Sequence, residues 1–146
     1  MIKVRNILDN KGHDFWYVNP ENTVFEALEI MAEKDIGALL VIDEHNKLLG
    51  IFSERDYSRK IILHGLTSKT SKVGDYMTKE LIVVSNDTDI YECMALMTNQ
   101  RKRYLPVLEN GKVLGFISIG DVVNAVIHQQ NVTIKDLENY IYGGRM

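Results

Sequence analysis

The sequence predicts a mixed α/β (α+β) protein: two tandem β-α-β-β-α units sharing one core, followed by a C-terminal helix. Three observations carry this reading. The first is a duplication legible in the letters. At an offset of 66 residues, Val18 meets Val84, Glu26 meets Glu92, Met31 meets Met97 and Val41 meets Val107. One residue is then lost in a turn, and at an offset of 65 "KLLGIFSERDY" (47–57) lies on "KVLGFISIGDV" (112–122). The second is that hydrophobic periodicity changes in the same order in both copies. The third is size: a unit of roughly 60 residues buries too little surface to be stable alone, so two copies packed face to face would share a core.

Each unit opens with a short β-rich piece, "FWYV" and "LIVV". A helix follows, with apolar positions at Val24, Leu28 and Met31 in one copy and Ile90, Met94 and Met97 in the other. Thr23 with Glu26, and Asp89 with Glu92, read as capping boxes at the two helix starts. Two apolar runs around a turn, "ALLVI"–"DEHN"–"KLLGIF" and "YLPVL"–"ENG"–"KVLGFI", read as β-hairpins. A second helix starts at Ser53 and at Ser118, with Tyr57 and Ile61, or Val122 and Val126, on its apolar side. "VRNIL" (4–8) also echoes "VGDYM" (73–77). The expected divisions are 1–64 for the first unit with its N-terminal segment, 65–72 for a Gly/Ser/Thr/Lys-rich linker, 73–129 for the second unit and 130–146 for a helical tail. In that tail Ile134, Leu137, Tyr140 and Ile141 form one stripe, to be covered by the chain's own core or by a second subunit, and Gly143 offers a stop.

Composition narrows the function. The 146 residues are 45% hydrophobic and 25% charged, ordinary for a globular protein. No apolar run approaches the roughly 18 residues of a membrane span, and the N-terminus lacks the apolar core of a signal peptide. A net charge of −3 argues against a broad nucleic-acid surface. Cys93 is the only cysteine and sits on an apolar helix face, which fits an inert core thiol in a cytoplasmic protein. His13, His45, His64 and His128 lack metal-ligand spacing, so no metal site is expected.

The chemistry concentrates in "GIFSERD" (50–56) and "GFISIGD" (115–121), each with Gly, then Ser, then Asp at spacings of three. One reading is helix capping, with Ser at the N-cap and an acid at the third helical position. The other is a site. A helix start presents free N–H groups and partial positive charge to an anion. A carboxylate beside it suits a neutral diol better than a phosphate.

Two β-α-β-β-α units, each ending in Gly-hydrophobe-x-Ser-x-x-Asp, resemble a tandem pair of CBS domains, named for cystathionine β-synthase. "IGALLVID" with "GIFSERDYSRK", "RYLPVLE" with "GFISIGDVV", and "YMTKELIVVSND" between them carry the resemblance over residues 2–129. The chain looks most like small stand-alone bacterial CBS-pair proteins. The resemblance implies sheets packed around a pseudo-twofold axis, two clefts between the units, and adenosine ligands there: AMP, ADP, ATP, NAD(H) or S-adenosylmethionine. It also implies a disc-like homodimer. It assigns the ribose to Asp56 and Asp121, and the phosphate to Ser53 and Ser118. Arg55 matches a position that can reach phosphate; its other reading is a solvated arginine in "ERDYSRK". Arg103 matches a basic phosphate contact; its other reading is the surface run "RKR". Ile51 and Phe116 match positions flanking the base, and Val18, Val84, Thr23 and Tyr104 are further lining candidates that would equally serve as core or cap.

Asymmetry between the copies is informative. Arg55 aligns with Gly120 and Arg103 with Gly37, which predicts two unequal clefts and room at the glycines for a bulkier ligand such as NAD. A hydrolase reading finds little support: Gly-x-Ser-x-Gly would need a glycine at 116, where Phe116 stands. "GKVLGFISIG" matches neither dinucleotide nor P-loop fingerprints. The expectation is a non-catalytic regulatory sensor of adenine nucleotides, AMP first among them, acting on an effector protein in trans. The alternatives are an interaction module without ligand control, or a weak nucleotide-processing enzyme.

Overall fold

The computed structural model describes residues 1–142, apart from the side chains of residues 132, 133, 140 and 142. The first unit holds β1 (Tyr17–Val18), α2 (Val24–Lys34), β2 (Ala38–Ile42) and β3 (Leu48–Ser53), preceded by α1 (Val4–Lys11). Its sheet runs β1-β2-β3, with β1 parallel to β2 and β3 antiparallel to β2. A helical stretch follows: α3 (Glu54–Asp56), a π-helical turn Tyr57–Ile61 and a 3-10 turn Ile62–His64, ended by Gly65 in the left-handed region at φ 72°. The second unit holds α4 (Val73–Tyr76), α5 (Ile90–Asn99), and the hairpin β4 (Tyr104–Glu109) and β5 (Lys112–Ser118). It ends in α6 (Ile119–Tyr142).

The hairpin turns explain the slip in the repeat. In the first, the Asp43 carboxylate accepts from the N–H groups of His45 and Lys47 at 2.8 and 2.9 Å, and Asn46 sits at φ 61°. In the second, Asn110 and Gly111 make a tighter turn at φ 51° and 77°.

Two expectations need correction. "LIVV" (81–84) does not form a strand; only Val84 bridges to Val107. In unit one the Leu40 N–H reaches the Trp16 carbonyl at 3.4 Å, and Leu40 is the counterpart of Pro106, which has no N–H to give. Nor does Glu92 complete a capping box. Asp89 caps α5 alone, accepting from the Tyr91 N–H at 2.6 Å. Two carboxylates at one helix start repel, whereas neutral Thr23 closes the box with Glu26 at 3.1 and 2.9 Å and holds the Glu26 carboxyl below its ordinary range.

The echo of "VRNIL" and "VGDYM" is a crossed clasp. The Val4 N–H donates to Thr88 O and the Val73 N–H to the equivalent Asn22 O, both at 2.9 Å. Helix α1 thus packs Val4, Ile7 and Leu8 into the core of unit two, while Val73 of α4 enters the core of unit one. A third cluster joins Leu40 and Ile51 of unit one to Val113 and Phe116 of unit two, so the sheets share a core. The linker is built in as well: Ser68 and Ser71 carbonyls accept the first N–H groups of α2 at 3.0 and 2.8 Å.

Helix α6 does not stop at Gln130, the counterpart of Gly65; it continues as one helix of 24 residues through the tail. Ile134, Leu137 and Ile141 are 54–59% exposed, so the chain's own core does not cover that stripe. Gly143 and the Tyr140 side chain lie outside the described residues.

Candidate functional site

The end of β3 delivers Ser53 to a helix start, and both sequence readings of the motif meet there. Ser53 is the N-cap: its Oγ accepts the Asp56 N–H at 3.2 Å, and Asp56 Oδ2 accepts the Ser53 N–H at 2.9 Å and Oγ–H at 3.1 Å. The second carboxylate oxygen, Oδ1, takes the Thr78 hydroxyl at 2.9 Å and the Lys60 ammonium at 3.0 Å. Lys60 is itself anchored on Tyr76 O at 2.8 Å. Asp56 is 7% exposed, and its four acceptor positions all have partners.

This acid opens onto a cavity of about 650 Å³ between the units. Ile51, Ser53, Arg55 and Asp56 form one wall, and Arg103 and Tyr104 the other. Sequence reasoning missed Arg59, Lys60, Thr78, Arg101 and Lys102 around the same cavity. The signal was present in part. Arg55 and Arg59 stand four apart at a helix start, and Arg101 to Arg103 is the run that reads as a surface patch. Lys60 serves Asp56 and Lys102 bonds the Glu80 carbonyl at 2.8 Å. Arg55, Arg59, Arg101 and Arg103 make no ion pair or side-chain hydrogen bond among the described residues.

The second cleft is built alike and filled differently. Phe116, Ser118 and Asp121 face Gly37, Arg103 and Tyr104 around about 370 Å³. Ser118 and Asp121 repeat the cap at 2.9 and 3.2 Å. No lysine stands four residues on; Ala125 is there. Instead Lys11, in a turn of α1 that the shorter α4 lacks, reaches Asp121 Oδ2 at 2.8 Å and Phe116 O at 3.2 Å. Beyond this pair lies a separate hollow of about 670 Å³ with Asn6, Asn124 and His128 on its walls. Lys11 lines both hollows and stands between them.

Three candidates do not reach a cleft. Val18, on β1, and Val84, in an isolated bridge to Val107, are 3% and 6% exposed within the separate cores of their units, packed with that unit's own helix, α2 or α5, rather than facing the partner unit. Thr23 is engaged in its capping box. The glycine expectation is also half overturned. A Cβ at Gly37 would lie 2.6 Å from the Tyr104 hydroxyl, so that space is occupied; at Gly120 the nearest atom would be Ser118 Oγ at 3.6 Å, leaving it open. Tyr104 borders both cavities and stacks tilted on Phe116 at 6.1 Å. Burial, with Glu54 nearby, raises its hydroxyl pKa above the ordinary value, so it stays a donor at neutral pH.

Among the described residues no group of His, Cys, Asp and Glu is placed to hold a metal ion, and no helix is long and apolar enough to cross a membrane.

The CBS domain family model matches residues 4–63 and 73–128. The chain is 40% identical over 149 residues to the mitochondrial CBS domain-containing protein CBSX3 of Arabidopsis thaliana, covering 97% of this chain and 72% of that one. A solved structure of a protein with CBS domains from Burkholderia ambifaria MC40-6 superposes with a TM-score of 0.83 at 44% identity, covering 88% of this chain and 96% of the other. A CBS domain pair solved in complex with 5′-methylthioadenosine and S-adenosyl-L-methionine shares the fold with a TM-score of 0.77 at 21% identity, covering 88% of this chain and 98% of that one.

Proposed function

The chain belongs to the CBS domain family, carrying two copies of the domain, and we propose that it is a non-catalytic regulatory module that binds an adenosine derivative between them. The observation that carries this reading is the cavity beside Asp56. One helix start there joins a diol-accepting carboxylate to free arginines from both units. The ribose hydroxyls would take over the places on Asp56 Oδ1 now held by Thr78 and Lys60, releasing Lys60 toward the phosphate. The ligand class is AMP, ADP, ATP, NAD(H) or S-adenosylmethionine. A related pair in complex with two adenosine compounds supports that class.

Signalling requires the ligand to favour one of two conformations. The clasp of α1 and α4 across the units offers such a coupling, since Thr78 and Leu81, just after α4, line one cleft and Lys11, the last residue of α1, lines the other. The output is an effector protein in trans. We place the module in the cytoplasm as a homodimer, its apolar α6 stripe from Ile119 to Ile141 covered by a second copy. Leu137→Asp should then yield a monomer in analytical ultracentrifugation.

A thermal-shift panel on ligand-free protein tests the ligand reading. At least one adenosine derivative should raise Tm, and no shift with any of them contradicts it. A second reading, an interaction module without ligand control, is favoured by that same exposed stripe; it predicts the flat panel.

A further inference from the structure

We infer that the cavity beside Asp56 selects its ligand by phosphate count and takes a nucleoside triphosphate in preference to a monophosphate. This rests on the reading of that cavity as an adenosine-derivative site and names the member of the class.

The cavity is supplied with more cations than a monophosphate would use. Arg55 and Arg59 on one wall and Arg101 and Arg103 on the other make no ion pair or side-chain hydrogen bond among the described residues. A phosphate monoester carries about two negative charges at neutral pH, which two guanidinium groups would match. Four leave a surplus that a chain of phosphates would use. All four are arginines, the side chain whose planar fork binds phosphate oxygens in pairs.

The fold does not need these four arginines. The six basic residues around this cavity are Arg55, Arg59, Lys60, Arg101, Lys102 and Arg103. Their counterparts in the other copy are Gly120, Asn124, Ala125, Asp35, Ile36 and Gly37, none of them basic. Both copies build the same helix–hairpin–helix framework around these two sets. Lys60 and Lys102 have partners in the fold, but the four arginines are not scaffolding, and in a chain of net charge −3 their convergence raises the energy of the empty state through mutual repulsion that the one Glu80 carboxylate on the lining offsets only in part. A polyphosphate relieves the repulsion in proportion to its charge; AMP relieves only part of it and uncharged adenosine none.

Calorimetric titration of ligand-free protein with adenosine, AMP, ADP and ATP, in EDTA so that the phosphates are bare, tests this. Affinity should rise along the series, with ATP at least about tenfold tighter than AMP. Arg59→Gln and Arg101→Gln should each lose about tenfold on ATP and almost nothing on adenosine, the loss of one charge-assisted contact. Inorganic tripolyphosphate should compete with ATP for the same site, a readout that needs no variant. Equal affinities for AMP and ATP, or variants that lose adenosine as much as ATP, would overturn the inference while the adenosine site stands. No binding by any of the four would overturn both.

Discussion

Lys11 Nζ lies 2.8 Å from Asp121 Oδ2, and this contact from a helix 110 residues away replaces one that the other copy makes within a single helical turn, Lys60 to Asp56 at 3.0 Å. Both motif acids are thus neutralised, but by different means. The Lys60 contact leaves its cavity open, whereas Lys11 stands across the second cleft as a bar. Lys11 and Asp121 are 35% and 24% exposed, so solvent screens the pair and its loss should cost under about 1 kcal/mol. Replacing Lys11 with alanine should join the two hollows and free Asp121. In calorimetry with adenosine, a second binding event should appear or strengthen severalfold; unchanged stoichiometry and affinity would refute the bar.

The two motif acids should differ in structural weight. Asp56 satisfies four donors in a buried setting, and Asp56→Ala leaves the Lys60 charge without its carboxylate. The expected loss is about 2–3 kcal/mol. Asp121→Ala removes a cap and a half-exposed ion pair and should cost about 1 kcal/mol. Urea unfolding checks the order, which equal losses would contradict.

Gly37→Ala should be destabilising through one named atom. The new methyl would meet the Tyr104 hydroxyl at 2.6 Å, and overpacking of this kind costs about 1–3 kcal/mol. Tyr104→Phe removes that oxygen, and the ring carbon behind it is 3.8 Å away. The double variant should therefore recover most of the loss in a double-mutant cycle. Additive losses would mean that Tyr104 does not fill this space.

Cys93 supplies a pH signature. Burial pushes its thiol up to about 11 from an ordinary 9.0. The folded chain then holds the proton more tightly than the unfolded chain. This contribution to stability is complete below pH 9.0 and is lost as pH rises toward about 11, with a slope of up to about 1.4 kcal/mol per pH unit. Tyr104 shifts the same way, so the comparison is with Cys93→Ala, whose alkaline decline should be shallower. Identical slopes in chemical unfolding between pH 8 and pH 10.5 would count against it.

The duplication, the hairpins and the Ser-x-x-Asp positions were legible because they rest on local patterns repeated in register. The missing strand was legible too, in Pro106, had its counterpart Leu40 been asked for an N–H donor. The echo between "VRNIL" and "VGDYM" showed that two helices are equivalent, but not that each packs into the other's unit. Lys11 could not be found by comparing copies, since it lies in a turn that α4 does not have. The basic clusters at 55–60 and 101–103 were visible separately; their convergence on one cavity depends on tertiary packing that no spacing encodes.

The central claim is that Asp56 holds the ribose of a ligand lying between the two units. A crystal structure grown from ligand-free protein with ATP measures this directly. The account predicts the nucleoside in the cavity beside Asp56, both ribose hydroxyls within hydrogen-bond distance of its carboxylate, and the phosphates among Arg55, Arg59, Arg101 and Arg103. An empty cavity at saturating ATP, or a nucleotide bound elsewhere with the Lys60–Asp56–Thr78 contacts intact, would contradict it.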